Sequence, residues 1–279
     1  MALSGLYIVA CPIGNYEDIT LRALKILREA DVIASEDTRE TGRLLLFHGI
    51  EAGGRLVSCH EHNERRRLEE LTGRLSRGES VALVSDAGTP TVSDPGYNLV
   101  RHAVEKGIAV VPVPGVSAVT CALAAGGLPT DAFFFEGFLP KKKGKRESRL
   151  TVLAELAATL IFFESPQRIV DTLRELIAVL GDRDAVLCRE MTKPYEEFLR
   201  GRLSAILQNL ERRDAVKGEM TLLVAGNAGG KEELDSERLR RELEHASCGA
   251  SELAAALSAK YGIPRRQIYE RILRLKEEE

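Results

Sequence analysis

Four loops in this chain place small, polar and glycine residues directly after short apolar runs. They span residues 11–15, 85–96, 113–118 and 163–166. If the apolar runs are parallel strands, the loops meet at the carboxyl edge of a sheet, where ligands bind in open α/β folds. Small residues there let a ligand approach backbone N–H and C=O groups closely. A turn is the simpler explanation of any single loop, whereas four such loops together favour a binding site.

The composition of these loops favours a cationic or hydroxyl-bearing ligand over a polyphosphate. None of them matches G-x-x-x-x-G-K-S/T or G-x-G-x-x-G, the patterns of loops that cradle phosphates. Asp86 follows an apolar run and lies beside uncharged, glycine-containing backbone. A metal site at Cys59, His60 and His62 is disfavoured, because no second pair of ligands accompanies it. We therefore expect no metal.

Short apolar runs alternate with helical patterns, and these elements must position the four loops. The first set predicts strands at 6–10, 32–35, 56–58, 81–85 and 109–113, and helices at 21–30, 38–48, 63–77 and 97–106. The second set predicts strands at 133–137, 160–163, 185–189 and 220–225, and helices at 116–125, 148–159, 166–180 and 203–212. The alternation is typical of an α/β fold with a mainly parallel sheet.

The overall composition excludes several classes of protein. Hydrophobic residues make up 44% and charged residues 29% of the 279 residues, which excludes a fully disordered chain. The net charge of −3 excludes a uniformly basic nucleic-acid coat but allows a local basic patch. No run approaches the roughly 18 apolar residues that cross a bilayer, so no membrane association is expected. The five cysteines are scattered and lack a C-x-x-C pair, which fits a reducing cytoplasm.

One basic segment is a candidate for contact with RNA. Residues 141–146 read Lys-Lys-Lys-Gly-Lys-Arg and lack helical periodicity. They predict a mobile loop that either follows RNA phosphates or is merely solvated.

The segment 235–279 predicts a separate helical domain. Its inward-facing residues would be Leu253, Ala254 and Leu257 on one helix and Ile268, Ile272 and Leu275 on the next. Two helices joined by a glycine turn resemble a helix-turn-helix. The exposed basic residues would be Arg265, Arg266, Arg271 and Arg274. A packing or dimerisation pair of helices is the alternative.

Seven motifs in order carry a resemblance to a known family. They are LYIVACPIGN at 6–15, SEDTR at 35–39, SDAGTP at 85–90, SDPG at 93–96, VPGVSA at 113–118, FESP at 163–166 and TKPYEE at 192–197. Together they closely resemble the bacterial small-subunit ribosomal RNA (cytidine-2′-O-)-methyltransferases of the tetrapyrrole-methylase superfamily. The resemblance covers about residues 5–225. The tetrapyrrole enzymes usually carry a G-x-G-D-P loop where this chain has SDAGTP, which argues against a corrin or porphyrin substrate.

The resemblance implies a fold, a methyl donor and a substrate. The fold would be α/β, with two domains (1–115 and 116–230) separated by a cleft, plus the small helical domain at 235–279. S-adenosylmethionine would lie folded in that cleft. Its contacts would come from Pro12, Ile13, Asp86, Ala87, Gly88, Thr89, Ser117, Ala118, Phe163 and Leu223. The acceptor would be the ribose 2′-hydroxyl of a cytidine in the decoding region of 16S rRNA in the small ribosomal subunit, and the cytoplasmic enzyme would be a homodimer.

The transfer needs a group that removes the proton from the acceptor. A ribose hydroxyl is too weak an acid to ionise alone at neutral pH, so a base or a cation must lie beside it. Glu164 or Asp37 is the preferred carboxylate to orient the hydroxyl. Lys193 or Arg39 would hold a phosphate or the developing negative charge. Residues 36–39 also fit an ordinary helix N-terminus, where acidic side chains are favoured.

Two other functions stay open from the sequence. A tetrapyrrole or corrin-precursor C-methyltransferase would share the fold and the donor. A non-catalytic RNA-binding assembly factor would keep the fold without needing the donor cleft.

Overall fold

The computed structural model describes residues 4–60, 63–227, 234, 236–244, 246, 248–261 and 263–277. The chain divides into two compact units, residues 1–154 with 158–225 and residues 155–157 with 226–279. His62, in the disfavoured metal motif, lies outside the described residues. Across the part that is described, no helix is long and apolar enough to cross a membrane.

The first sheet is fully parallel, as its apolar runs predict. Its strands are β1 (Gly5–Val9), β2 (Val32–Ser35), β3 (Leu56–Ser58), β4 (Ser80–Val84) and β5 (Val110–Val113), in the order β3-β2-β4-β1-β5. The helices between them are α1 (Leu21–Glu29), α2 (Thr38–Phe47), α3 (Glu64–Ser76) and α4 (Tyr97–Glu105). Both faces of the sheet are covered: in β4, Ala82 and Val84 join one core while Val81 and Leu83 join the other. Burial on both faces explains why these strands are continuously apolar.

The second sheet is mixed, so the expectation of mainly parallel strands does not extend to it. Its strands are β6 (Phe133–Phe138), β7 (Thr159–Glu164), β8 (Asp184–Arg189), β9 (Glu197–Arg202) and β10 (Met220–Val224), in the order β6-β7-β10-β8-β9. Only β6 and β7 pair in parallel. The helices α5 (Ala118–Gly126), α7 (Ile169–Leu180) and α8 (Leu203–Glu211) belong to this part of the chain. The sequence pattern did not predict β9, because this edge strand is half-exposed and carries several charges.

The basic segment at 141–146 is not a mobile loop throughout. Helix α6 spans Lys143–Ala154, whereas the sequence predicted a helix at 148–159. Arg146 donates to the Glu175 carboxylate with two nitrogens, and Arg149 donates to Glu136 at 2.6–2.9 Å. These distant carboxylates stabilise the first turns of α6, so the helix begins earlier than its apolar residues indicate.

The C-terminal unit contains α9 (Ser236–Glu244), α10 (Ala250–Tyr261) and α11 (Arg265–Glu277). The six inward-facing residues predicted for its last two helices are all buried in one apolar core. Arg265, Arg266 and Arg274 are exposed, as predicted. Arg271 is a correction, since its guanidinium is partly buried and donates to the carbonyl of Leu234.

Candidate active site

One cavity of about 650 Å³ collects the loops that the sequence singled out. It lies at the carboxyl ends of β1, β4, β5, β6, β7 and β8, and at the amino end of β10. Because β10 runs antiparallel to β7 and β8, its start reaches the edge at which those strands end. Seven of the ten residues predicted to contact the donor line this cavity: Ile13, Ala87, Gly88, Thr89, Ser117, Ala118 and Phe163.

The other three predicted donor contacts, Pro12, Asp86 and Leu223, are not part of the cavity wall. Pro12 is buried. The Asp86 carboxylate accepts a hydrogen bond from the backbone N–H of Asp37 at 2.9 Å, so it joins two neighbouring loops. Leu223 is fully buried. It packs directly against Gly126, since a Cβ on that glycine would lie only 2.5 Å from Leu223 Cδ1. It therefore packs β10 against α5.

Backbone hydrogen bonds hold the cavity loops of the first sheet together. The N–H of Cys11 donates to the carbonyl of Gly88 at 2.7 Å, and the N–H of Gly88 donates back to Cys11 at 3.0 Å. The Thr89 hydroxyl donates to the carbonyl of Val116 at 3.2 Å, which ties this loop to the start of α5. Ser117 and Ala118 at that helix start line the cavity. The first N–H groups of a helix lack partners within the helix and favour a negatively charged group.

Backbone strain is concentrated in two loops of this cavity. Among the described residues, the non-glycine residues with positive φ are Thr91, Ser93, Glu190 and Thr192, with values between 50° and 74°. Such conformations cost on the order of 1–3 kcal/mol each and cluster at functional sites. Both loops, 91–94 and 190–193, contribute residues to the wall.

Lys193 lies between the two sheets and is held by carboxylates. A Cβ on Gly14 would lie 2.4 Å from Lys193 Cγ, so only glycine allows this close approach. The Lys193 ammonium is 3.0 Å from Glu190 Oε1 and 3.0 Å from Glu219 Oε2. Burial lowers the pKa of Lys193, but hydrogen bonds to the two carboxylates outweigh it and raise the pKa. The ammonium is therefore charged, and both carboxylates already pair with it.

The candidates Asp37 and Arg39 lie outside the cavity wall. The Arg39 guanidinium is 2.6 Å from the Asp37 carboxylate, and the Arg39 side chain is 82% exposed. Hydrogen bonds from the side chain and backbone of Arg39 lower the pKa of Asp37 to about 2. Asp37 also caps α2, which agrees with the helix N-terminus that the sequence suggested. A carboxylate with so low a pKa is a poor proton acceptor.

Glu164 borders the cavity, but its carboxylate is fully engaged. Its side chain has no exposed surface. One oxygen accepts from the N–H of Ser165 at 2.8 Å, and the other accepts from the Thr172 hydroxyl at 2.8 Å and lies 3.4 Å from Arg168. This arrangement holds the turn after β7 and leaves little capacity to accept a proton from a substrate.

Comparison with known proteins agrees with this geometry. The family described as Tetrapyrrole (Corrin/Porphyrin) Methylases matches residues 5–207, which include the first sheet and strands β6 to β9 of the second. This chain belongs to the tetrapyrrole methylase family.

Two relatives show which members of the family this methylase is similar to. A ribosomal RNA small subunit methyltransferase I of Micromonospora olivasterospora is 47% identical over 270 residues, covering 96% of this chain and 86% of its own. A protein of the same name from Escherichia coli O157:H7 is also 47% identical, covering 95% of this chain and 93% of its own. The resemblance inferred from the seven motifs is thereby confirmed, and the methylase is an enzyme.

A solved structure confirms the α/β fold. Uroporphyrin-III C-methyltransferase from Thermus thermophilus, solved in complex with S-adenosylhomocysteine, matches this methylase with a TM-score of 0.56. The identity is 23%, and the match covers 79% of this chain and 97% of that chain. At this identity the likeness shows the fold alone.

The cavity residues that were given no role from the sequence include Val92, Asp94 and Phe138. Burial, together with the nearby Glu36 and Asp86 carboxylates, raises the pKa of Asp94 to about 6, although a hydrogen bond with Ser85 opposes the shift. The motif SDPG contains Asp94, but its composition is that of a turn. The signal that could have found it is the repetition of Ser-Asp at 85–86 and 93–94 within one long loop.

Proposed function

We propose that this methylase transfers the methyl group of S-adenosylmethionine to the ribose 2′-hydroxyl of a cytidine in the decoding region of 16S rRNA in the small ribosomal subunit. The observation that carries the proposal is the cavity, in which seven predicted donor contacts from both sheets lie together. Relatives that are 47% identical carry the name ribosomal RNA small subunit methyltransferase I, which supports ribosomal RNA as the acceptor. Because the proposed substrate is part of the ribosome, we expect this methylase to act in the cytoplasm.

The cavity suits S-adenosylmethionine in size and chemistry. Its volume of about 650 Å³ lies in the usual range for small-molecule sites. Small residues such as Ala87 and Gly88 leave backbone groups accessible, Phe163 supplies an apolar wall, and the start of α5 offers N–H groups to a carboxylate. When bound, the donor supplies an electrophilic methyl group on a positively charged sulfur. Carboxylates beside the cavity stabilise a cation of this kind.

Asp94 is the residue that we assign as the proton acceptor. It lines the cavity, and its raised pKa is matched to a base that works near neutral pH. As the O–CH₃ bond forms and the S–CH₃ bond breaks, the 2′-hydroxyl proton passes to the Asp94 carboxylate, which then releases it to water. A hydrogen bond with Ser85 holds the Asp94 carboxylate, and the adjacent Ser93 has a strained φ of 62°.

The earlier catalytic candidates take supporting roles in this proposal. Glu164 and Asp37 position the turn at 163–166 and the start of α2, respectively. Lys193 holds the loop at 190–193 against the first sheet. Arg39, largely exposed beyond its contact with Asp37, has donors left to contact an RNA phosphate.

Methylation of purified small subunits tests the function. Subunits from cells that lack this methylase should gain one ribose methyl group per particle when protein and S-adenosylmethionine are added. Nucleoside mass spectrometry should identify 2′-O-methylcytidine. A methyl group on a base, or methylation of corrin precursors instead, would contradict the proposal. Binding to subunits without binding of the donor would favour the assembly factor.

Filling the cavity should abolish donor binding. Ala118→Trp places a large side chain at the helix start that lines the cavity, and we expect the donor affinity to fall at least about 100-fold. Ala124→Trp, on the exposed side of the same helix, is the matched control and should bind normally. Isothermal titration calorimetry with S-adenosylmethionine measures both. Equal affinities would remove the start of α5 from the donor site.

The exposed lysines before and within α6 should contribute to RNA binding. Replacing Lys141, Lys142 and Lys145 with glutamine should weaken binding to the small subunit and reduce the slope of log K against log salt by about 2 to 3. Arg146 is kept, because its contact with Glu175 is structural. A triple control at the exposed residues Arg22, Lys25 and Lys106 should leave the slope unchanged. Filter binding from 50 to 300 mM salt provides the slopes, and equal slopes would exclude this segment from the RNA interface.

We also propose the homodimer that the resemblance implied. Leu46 and Phe47, at the end of α2, are 79% and 57% exposed, and such apolar side chains fit a surface that a second copy covers. Sedimentation of the wild type and of a Leu46→Glu variant measures the state of association.

A further inference from the structure

Exposed apolar side chains lie at the cavity itself. Twelve large apolar residues are exposed among those described, and only Val92 and Phe138 of these line the cavity. Their exposed fractions are 38% and 56%. The donor contacts predicted above do not include them, so they are available to a second ligand.

The two side chains belong to loops and strands of different sheets, and both line the same cavity. Val92 belongs to the strained loop after β4, and Phe138 is the last residue of β6. Their neighbours touch: a Cβ on Gly137 would lie 2.7 Å from the Ser93 hydroxyl oxygen. The pairing of β6 with β7 is irregular between Phe135 and Gly137, and Gly137 has a φ of 71°. Irregularities of this kind re-aim the side chains that follow, here Phe138.

The ring of Phe138 is held in position by other rings. Its centroid is 5.7 Å from that of Phe163, at an angle of 63°. Phe163 in turn packs edge-on against Phe135, with the centroids 5.0 Å apart. An aromatic ring that is fixed in this way and still more than half exposed is a preformed surface for stacking. Stacking of a nucleobase on an aromatic side chain is worth about 1–3 kcal/mol.

We propose that Phe138 and Val92 form the binding site for the acceptor nucleobase, which must leave its RNA stack to reach this site. The inference rests on the proposed function. The base and the reacting 2′-hydroxyl are attached to adjacent carbons of one ribose, so the base must bind close to the proton acceptor. Val92 is two residues from Asp94, and both line the same cavity as Phe138. Proteins recognise unpaired bases by stacking on aromatic rings in this manner.

Four variants test the site through methylation of purified small subunits. Phe138→Ala should lower kcat/KM about 10- to 100-fold, with unchanged affinity for S-adenosylmethionine. Phe138→Tyr and Phe138→Trp should keep most of the activity, because they retain a flat ring. Phe138→Leu should be impaired as Phe138→Ala is, because leucine supplies an apolar contact but no ring on which a base can stack.

Phe133→Ala is the matched control, because Phe133 is a 47% exposed phenylalanine at the other end of β6 and does not line the cavity. It should methylate as the wild type does. Activity of Phe138→Ala or Phe138→Leu equal to that of the wild type would overturn the nucleobase site and leave the proposed function intact. A wild-type protein that does not methylate small subunits would overturn both.

Discussion

Asp94→Asn is expected to lower the rate of methyl transfer by about 100- to 10,000-fold, the range that positioned proton acceptors contribute. Asparagine keeps the size of the side chain but cannot accept the hydroxyl proton. Donor affinity should change by less than about tenfold, because asparagine keeps the shape of the cavity wall and removes only one of the nearby carboxylates. Single-turnover methylation of small subunits measures the rate, and calorimetry measures the affinity.

The pH dependence distinguishes a proton acceptor from a structural residue. Burial, aided by Glu36 and Asp86, raises the pKa of Asp94 to about 6, so the carboxylate is ionised at pH 8 and becomes protonated below pH 6. We expect kcat/KM to fall as the pH decreases through about 6, since this ratio reports the free enzyme. Asp94→Glu should keep measurable activity with a displaced acidic limb. An unchanged acidic limb in Asp94→Glu, or near-normal activity of Asp94→Asn, would mean that another group accepts the hydroxyl proton.

Asp94→Asn should also stabilise the folded protein at neutral pH. A carboxyl group whose pKa is raised by folding binds protons more tightly in the folded state, so it destabilises that state as the pH rises from about 4 to about 6. Asp94→Asn should therefore increase the unfolding free energy at pH 7.5 by about 1 kcal/mol, after allowance for solvent screening. Asp31→Asn is the contrasting control: hydrogen bonds from Ser80 lower the pKa of Asp31, so its loss should destabilise the protein. Urea unfolding measures both changes.

Glu164→Ala should have the largest effect on stability, a loss of about 3 kcal/mol. The substitution leaves the Ser165 N–H and the Thr172 hydroxyl without their acceptor, and it leaves Arg168 without the carboxylate 3.4 Å away. Glu164→Gln retains an acceptor and should cost less. Urea unfolding at pH 7.5 gives the free energies.

The activity of Glu164→Gln then decides between positioning and catalysis. A positioning role predicts a small loss of methyl transfer that follows the loss of stability. A loss above 100-fold, with normal folding and donor affinity, would instead make Glu164 the carboxylate that orients the hydroxyl, as expected from the sequence.

The structure also explains why some predictions from sequence succeeded. Strands β1 and β4 are buried on both faces, so their apolar residues are continuous and identify them without any tertiary information. The loops that follow such strands lie at one edge by the geometry of a parallel sheet, which is why residues from 13 to 118 along the chain line one cavity. The buried faces of α10 and α11 follow from helical periodicity in the same way.

The amino-acid sequence by itself determined the buried strands, the helix faces and the loops that surround the cavity, because each depends on a local pattern of apolar and small residues. Only the tertiary structure decided the direction of the strands in the second sheet, the early start of α6 and the engagement of Glu164. These depend on partners far along the chain, such as Glu175 for Arg146, and on burial that local patterns do not specify. The same holds for Asp94 and Phe138, since the raised pKa of one depends on burial and on Glu36, and the stacking surface of the other depends on Phe163 of the neighbouring strand.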